Sequence, residues 1–583
     1  MLRSRQDRRA RRVGDTGPGS GRNTMIIIGA GLGGLSTGCY ARMNGYRTHI
    51  FEMHEIPGGC CTAWDRGDFT LDCCISWLLG NGPGNQMHRI WLELGALQGK
   101  QMRHFDVFNI VRGRDGRAVY FYSDPDRLEP HLLSHSPADA RLIKDFCNGL
   151  RAFRKAVAAY PFLKPVGLMG RWERMRMMAS FLPYFQAIRK SLTVLMSDYA
   201  ARFKDPLLRE AFNFILYEKH PAFPVLPSYF QLASHANRSA GVPEGGSFGL
   251  ARSIEQRYRR LGGDISYNAK VEEILVEDDR AVGVRLADGQ EFRADIVVSA
   301  CDGHTTTMKF LKGRYLGDTY RRLYTRTIGE RGMVFPGYLT YFLCLRRRVD
   351  GAPCTTHLLD EATASRLIGI RHPSINVQFR NHHYPELSPQ DTTVVYATYF
   401  CDIAPWRALS TGPEQASRLR HGKELHTLPV RHGRAYIEGK RQVRLALTRF
   451  LEERYPGISD DVAVRDVSTP LTQVRYTGNY DGTVLGWQPF VKSGETLEEE
   501  IKKNGPGLPG LSNFYFSGVW ATTGGLIRAA AAGRHVMQFI CRDDGKDFTA
   551  HIDDTAPPPT HLVIPVDESP RPTAGATVPD GAH

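Results

Sequence analysis

Residues 25–52 read MIIIGAGLGGLSTGCYARMNGYRTHIFE, and this stretch decides the fold. Met25–Ile28 is a short, fully apolar run, the pattern of a strand buried on both faces. Gly29, Gly31 and Gly34 then take the three places of a G-x-G-x-x-G turn, with Ala30 and Gly33 between them. The first glycine permits the tight passage from strand to helix. The second lets the backbone approach a pyrophosphate, and the third lets the helix pack close to the strand. Leu35 to Asn44 is predicted to be helical and closed by Gly45. Arg47–Phe51 is a second strand, and Glu52 at its tip can accept both ribose hydroxyls of an adenosine while disfavouring a 2′-phosphate. A lone G-x-G-x-x-G arises by chance in loops. Here a strand precedes it, a helix follows it and an acid stands at the right distance, so the unit reads as a dinucleotide-binding βαβ turn with phosphates at the helix N-terminus.

Further along, Ile56-Pro57-Gly58-Gly59-Cys60-Cys61 supplies a second glycine pair just after Glu52. Residues from about 90 to 235 mix aromatic-rich helical segments with turns. From Gly262 the pattern becomes β, with strands expected at Ile265–Tyr267, Val271–Glu277, Ala281–Leu286, Gln290–Arg293 and Asp295–Ser299, three of them joined as a meander. Residues 311–500 form a second mixed α/β block. Phe514–Ser517 is another short apolar strand, followed by the glycine-rich turn Gly518–Gly525 and a helix from Leu526 to Cys541. Pieces of one nucleotide fold therefore lie at the start, middle and end of the chain. The expected class is α/β: a dinucleotide-binding domain from three segments (25–90, 240–310 and 505–548) and a mixed α/β substrate domain from the blocks inserted between them (91–239 and 311–504). Residues 1–24 are expected to be a disordered basic tail, and 549–583, with Ala556-Pro557-Pro558-Pro559, a disordered Pro-rich one.

Composition narrows the class. The chain has 583 residues, 42% of them hydrophobic and 23% charged, as soluble multi-domain proteins do. No run of eighteen uncharged apolar residues occurs, so membrane contact is expected to be peripheral at most. Seven arginines crowd the first 24 residues without the apolar run of a secretory signal, and Met25 could itself be the start. The net charge of +14 suits anionic lipid or an acidic carrier protein, or serves solubility alone; no nucleic-acid partner is expected. Eleven cysteines in so long a chain do not make a disulfide framework, and with no secretory signal they point to a reducing cytoplasm.

With its segments placed, the chain resembles the phytoene desaturase-like flavoproteins, which include retinol saturases. The matching stretches are Ile26–Glu52, Pro57–Gly80, Pro243–His304 and Asn513–Phe548. The resemblance implies a glutathione-reductase-type fold holding FAD. Gly58, Gly59 and Cys60 would pass close to the phosphates and ribityl chain, and Gly518, Gly524, Gly525 and Leu526 would close over the isoalloxazine. It further implies that Val271 meets the adenine through its backbone, and that Gly246 and Ser247 lead into a helix crossing below the flavin. Two positions depart from the pattern: Cys60 stands where desaturases often carry arginine, and Val519 where many relatives carry an acid. Gly-Gly-Cys-Cys is similar to the retinol saturases, which add hydrogens rather than remove them.

The resemblance also implies a small, apolar, conjugated substrate, often isoprenoid, and hydride transfer between an allylic carbon and the flavin. Three functions remain open: a desaturase, a saturase or isomerase working from reduced flavin, and a prenyl carrier without catalysis. The intact glycine turn with Glu52 speaks against the carrier. His304 is the one catalytic candidate, although a single histidine is more often structural. Met175, Met178, Phe181, Leu182, Phe185, Ile188 and Leu192 fit a helical stripe flanked by Arg171, Arg174, Arg176, Arg189 and Lys190, with Pro183 expected to break it. This stretch, Trp172–Leu195, reads either as a lid or membrane-facing surface or as an ordinary core-facing helix. The adjacent pairs Cys60-Cys61 and Cys73-Cys74 lack the spacing of a zinc site, and no metal is expected.

Overall fold

A computed structural model describes residues 11–12, 22–157, 161–220, 223–318, 321, 334–410, 417–421, 424–428, 433–487, 505–522 and 524–566. Strand β1 (Thr24–Ile28), helix α1 (Leu32–Met43) and strand β2 (Arg47–Phe51) form the opening unit. The chain returns to it with helix α2 (Gly246–Arg260), β3 (Asp264–Ser266) and β4 (Ile296–Ser299), and again with β5 (Phe514–Phe516) and helix α3 (Leu526–Asp543). The five strands are parallel throughout in the order β3-β2-β1-β4-β5, the parallel nucleotide-binding sheet expected from sequence.

A parallel sheet needs cover on both faces, and the pleat divides the apolar run of β1 between them. Met25 and Ile27 join the core under α1, α2 and α3, while Ile26 and Ile28 join a second core under the meander Val271–Glu277, Arg280–Leu286 and Glu291–Arg293. The helices meet almost backbone to backbone: a β-carbon on Gly533 of α3 would lie 2.4 Å from the Thr37 amide of α1. The first and last segments of this domain are thereby locked together.

The two inserted blocks build one seven-stranded sheet. Its order is Val462–Ser468, Gly337–Leu345, Thr393–Cys401, Ser374–Phe379, Cys354–Leu358, Val107–Arg112 and Ala118–Tyr122. All its pairings are antiparallel except that of Cys354–Leu358 with Val107–Arg112, where the two blocks join. Among the described residues no helix is long and apolar enough to cross a membrane.

The tails need correction where they are described. Arg11–Arg12 pairs with Phe292–Arg293, and Arg22 pairs with Asp544. Residues 1–10 and 13–21 lie outside the described residues. At the other end, residues 549–566 are held against the body of the protein, although most of their side chains stay exposed. Asp553, only 2% exposed, pairs with Arg257 and Arg260 of α2, and Thr560–Ile564 adds a parallel strand to Gln101–Phe105. The partners lie some three hundred and more positions away, which a local reading of a proline-rich segment cannot see. Residues 567–583 lie outside the described residues.

Candidate active site

The glycine turn takes the shape its sequence requires. Gly29 has φ +95°, its amide donates to the Phe51 carbonyl at 2.8 Å, and α1 begins at once from Gly31, which no side chain caps. A β-carbon on Gly34 would lie 1.9 Å from the Gly29 carbonyl oxygen. The second glycine pair closes on the first: Gly31 and Gly58 form a parallel bridge, the Gly58 amide donates to the Ala30 carbonyl at 2.9 Å, and Gly58 and Gly59 have φ of +114° and +60°.

Glu52 is buried at the edge of this turn. One of its carboxylate oxygens accepts the Ala30 amide at 2.6 Å and the other the His54 amide at 2.9 Å. Burial pushes its carboxyl up, while the amides hold it down. The stretch leading to Val271 lies alongside, with the Ala269 amide donating to the Glu52 carbonyl at 2.8 Å and the Asn268 amide to that of His54 at 3.0 Å. Val271 itself is buried and pairs with Leu286.

The C-terminal turn closes on the same point. The Ser517 amide donates to the Ser299 carbonyl at 2.8 Å, and the Ser517 hydroxyl lies 2.8 Å from that of Thr37 in α1. A β-carbon on Gly33 would lie 2.4 Å from Cα of Gly518, whose φ is +76°. Gly525, φ +123°, starts α3 without a side-chain cap and has open space where a β-carbon would stand; Leu526 is the first helical residue. Gly524 instead packs on Leu485, a β-carbon there lying 2.6 Å from its carbonyl oxygen. The indole N–H of Trp520 is buried without a hydrogen-bond partner among the described residues. Val519 sits in apolar packing against both cores of the domain, which accounts for the absence of an acid at this place. Two uncapped helix starts, a cradle of glycines and an orphaned indole donor fit a large phosphate-bearing dinucleotide.

The sequence reading missed the segment that draws these pieces together. Asn479–Trp487 carries no motif, yet it reaches all three parts of the nucleotide domain. The Asn479 amide group donates to the Cys60 sulfur at 3.4 Å, the Tyr480 amide donates to Asp302 at 2.9 Å, and the Trp487 and Trp520 rings lie 5.1 Å apart. His304 packs against the Tyr480 ring at 4.5 Å, and burial lowers its pKa, so the imidazole is neutral near pH 7. Burial pushes the Cys60 thiol up to about 12, which leaves it a neutral packing group. Among the described residues no cluster of His, Cys, Asp and Glu is placed to hold a metal ion.

Two buried acids were also missed. Asp72 takes the hydroxyl of Ser247 at 2.6 Å, where α2 starts, and pairs with Arg380, which lies between the rings of Tyr384 and Tyr396. This knot ties the seven-stranded sheet to α2. Glu218, 3% exposed, accepts from Ser374 Oγ at 3.2 Å and from the Phe400 amide at 3.3 Å, and burial pushes its carboxyl up to about 8. No local pattern marks either acid; only the sheet packed over them does.

The seven-stranded sheet thus joins the three-segment Rossmann domain at α2, through Asp72, Ser247 and Arg380. Residues 27–94 match the NAD(P)-binding Rossmann-like domain family. The chain is 24% identical over 472 residues to prolycopene isomerase 1 of an Oncidium hybrid cultivar, covering 79% of this chain and 74% of that one. It is 28% identical over 301 residues to the lycopene-forming phytoene desaturase of Pseudescherichia vulneris, covering 49% of this chain and 57% of that one. An oxidoreductase structure from Methanosarcina mazei shares the fold, with a TM-score of 0.53 at 17% identity, covering 88% of this chain and all of that one. The chain thus shares the fold of that oxidoreductase structure and is similar in sequence to carotenoid isomerases and desaturases.

Proposed function

We propose that this protein is an FAD-dependent oxidoreductase that desaturates an apolar polyene or isoprenoid-like substrate. The observation that carries the reading is the contact of the N-terminal glycine turn with the C-terminal one, Gly33 against Gly518, beside the buried Glu52. An NAD-only Rossmann domain has no use for that second turn. Gly31, Gly58 and the start of α1 would hold the pyrophosphate, Glu52 the ribose, and the backbone before Val271 the adenine. Gly518, Trp520 and the start of α3 would flank the ring system. The bound flavin would supply hydride acceptance at its isoalloxazine. The protein's part is to align the substrate carbon, exclude water and handle the proton. His304, neutral and set against Tyr480, is the residue we assign to take that proton.

The expected result is a yellow protein with flavin absorption, bleached on anaerobic mixing with a polyene precursor, and a product two mass units lighter for each double bond formed. A colourless protein that takes up no FAD on reconstitution would sink the proposal. The second reading, isomerisation or saturation from reduced flavin, is favoured by one observation: prolycopene isomerases align over a larger share of the chain than the desaturase does. A product of unchanged mass, formed only after pre-reduction, selects the isomerase. Replacing His304 with Ala is expected to slow flavin reduction at least tenfold without releasing the cofactor.

A further inference from the structure

The strand Ser374–Phe379 lies inside the seven-stranded sheet, and its two faces differ in kind. Ile375, Val377 and Phe379 join an apolar core on one side. Ser374, Asn376 and Gln378 line the other, because side chains alternate across a strand. This second face looks toward the nucleotide domain: Gln378 accepts from Ser76 Oγ at 3.2 Å, and Arg380, just beyond the strand, donates to the Ile75 carbonyl at 2.9 Å. Gln378 donates in turn to Asn376 at 2.8 Å, and Asn376 to Thr356 at 3.0 Å. A wall that met only hydrocarbon would gain nothing from burying such a polar row.

Glu218 stands at the end of the row. Ser374 Oγ and the Phe400 amide both donate to its carboxyl, and among the described residues no basic side chain pairs with it. Burial keeps it a neutral acid near pH 7, so the proton it holds is left to donate. Tyr338 is its neighbour, close enough for the acid to raise the phenol further. The Tyr338 ring lies 4.8 Å from Phe400, is only half-buried, and its hydroxyl makes no hydrogen bond among the described residues. His220, 5.1 Å from Phe400, is kept neutral by burial and supplies no counter-charge. Two O–H donors without an acceptor thus lie together.

The backbone is bent to put them there. Tyr217 has φ +72°, a left-handed conformation that a non-glycine residue adopts at a cost. The bend sets the half-buried Tyr217 ring 4.9 Å from Trp77 and 5.1 Å from Phe108, while the next residue, Glu218, reaches Ser374. Aromatic surface for a polyene and a donor for its end are adjacent in the chain. On the other side, Gly337 precedes Tyr338 and packs on the Asn479–Trp487 bridge, a β-carbon there lying 3.0 Å from the Gly482 carbonyl oxygen. The same bridge holds Tyr480 against His304.

We propose that Glu218 and Tyr338 bind an oxygen function, a hydroxyl or a carbonyl, at one end of the substrate chain, so that the protein selects an oxygenated polyene over the bare hydrocarbon. The assignment rests on the polyene reaction proposed above and adds the group by which the chain is recognised. A neutral oxygen accepts both protons, whereas a charged end would have to be buried among phenyl rings. The test is equilibrium dialysis of the full chain against geranylgeraniol, the hydrocarbon lacking its oxygen, and geranylgeranylamine, with flavin bleaching followed anaerobically in parallel. Wild type is expected to bind the alcohol at least about tenfold more tightly than the hydrocarbon. Glu218→Leu should bring this ratio to within about twofold of unity and Tyr338→Phe should lower it about threefold, while Glu218→Gln, which still donates, should keep most of it. The Tyr338→Phe ratio decides the matter if Glu218→Leu does not fold. A merely structural role would weaken both probes alike and leave the ratio unchanged; that result overturns the proposal, as does equal binding of the two by wild type. Tighter binding of the amine than of the alcohol, lost in Glu218→Gln, also overturns it and makes the site an ion-pairing one. Selective binding of the alcohol with no bleaching by any probe upholds the oxygen site and leaves the proposed reaction as the failure.

Discussion

A methyl group at position 34 has nowhere to go, since the Gly29 carbonyl oxygen stands 1.9 Å from where it would sit. Gly34→Ala must therefore push α1 away from β1 and spoil the turn that faces the phosphates. The protein is expected to purify colourless, or with FAD affinity lowered more than tenfold, as flavin absorbance and fluorescence titration would show. Gly45→Ala is the control: it has φ +82° but open space, so it should cost about 1 kcal/mol of stability and retain the cofactor. Glu218 makes a different demand. Its carboxyl ionises near 8 when folded, against an ordinary value of 4.5, because burial disfavours the charge and its two hydrogen bonds only partly offset this. The folded form holds the proton more tightly, so this group's contribution to stability is full below pH 4.5 and is lost as pH rises toward 8. The loss is on the order of 4 kcal/mol if the site stays dry. Glu218→Gln should abolish most of that slope, as denaturant melts at pH 5 and pH 8.5 would reveal; an unchanged slope would place the titration elsewhere.

At the scale of elements, the docked C-terminal segment is the clearest departure from the local reading. Asp553 sits between Arg257 and Arg260 of α2, the helix whose start is tied to the substrate sheet through Ser247 and Asp72. Removing it leaves Arg257 buried without its counter-charge. Asp553→Ala is expected to lower stability by on the order of 3 kcal/mol, read as an earlier midpoint in urea, and to expose the Thr560–Ile564 strand to limited proteolysis. A variant as stable as wild type would show the segment to be passively attached. Over Trp172–Leu195 the apolar pattern fits burial as well as exposure, and among the described residues Arg171–Phe181 buries none of its side chains.

For the whole molecule, the proposed cofactor site is the point where segments hundreds of residues apart converge: Gly31 and Gly58 from the start, Asp302 and His304 from the middle, Trp520 and Gly525 from the end. A ligand bound there stabilises the folded state by mass action, about 4 kcal/mol at a thousandfold excess over Kd. Removing FAD is therefore expected to lower Tm by several degrees, and adding it back to restore the value. Equal melting of the two forms would mean that the segments are held together without it. The sequence by itself determined the nucleotide fold, because each of its signals is local. The apolar run Met25–Ile28, the glycines at 29, 31 and 34, Glu52 and the meander from Val271 all act within a few residues of where they are written. What only the tertiary structure decided is how distant pieces meet: the single sheet built from two inserted blocks, the Asn479–Trp487 bridge, the buried Glu218 and the paired Asp553. Burial and ion pairing are properties of what packs around a group, and nothing adjacent in the chain records them.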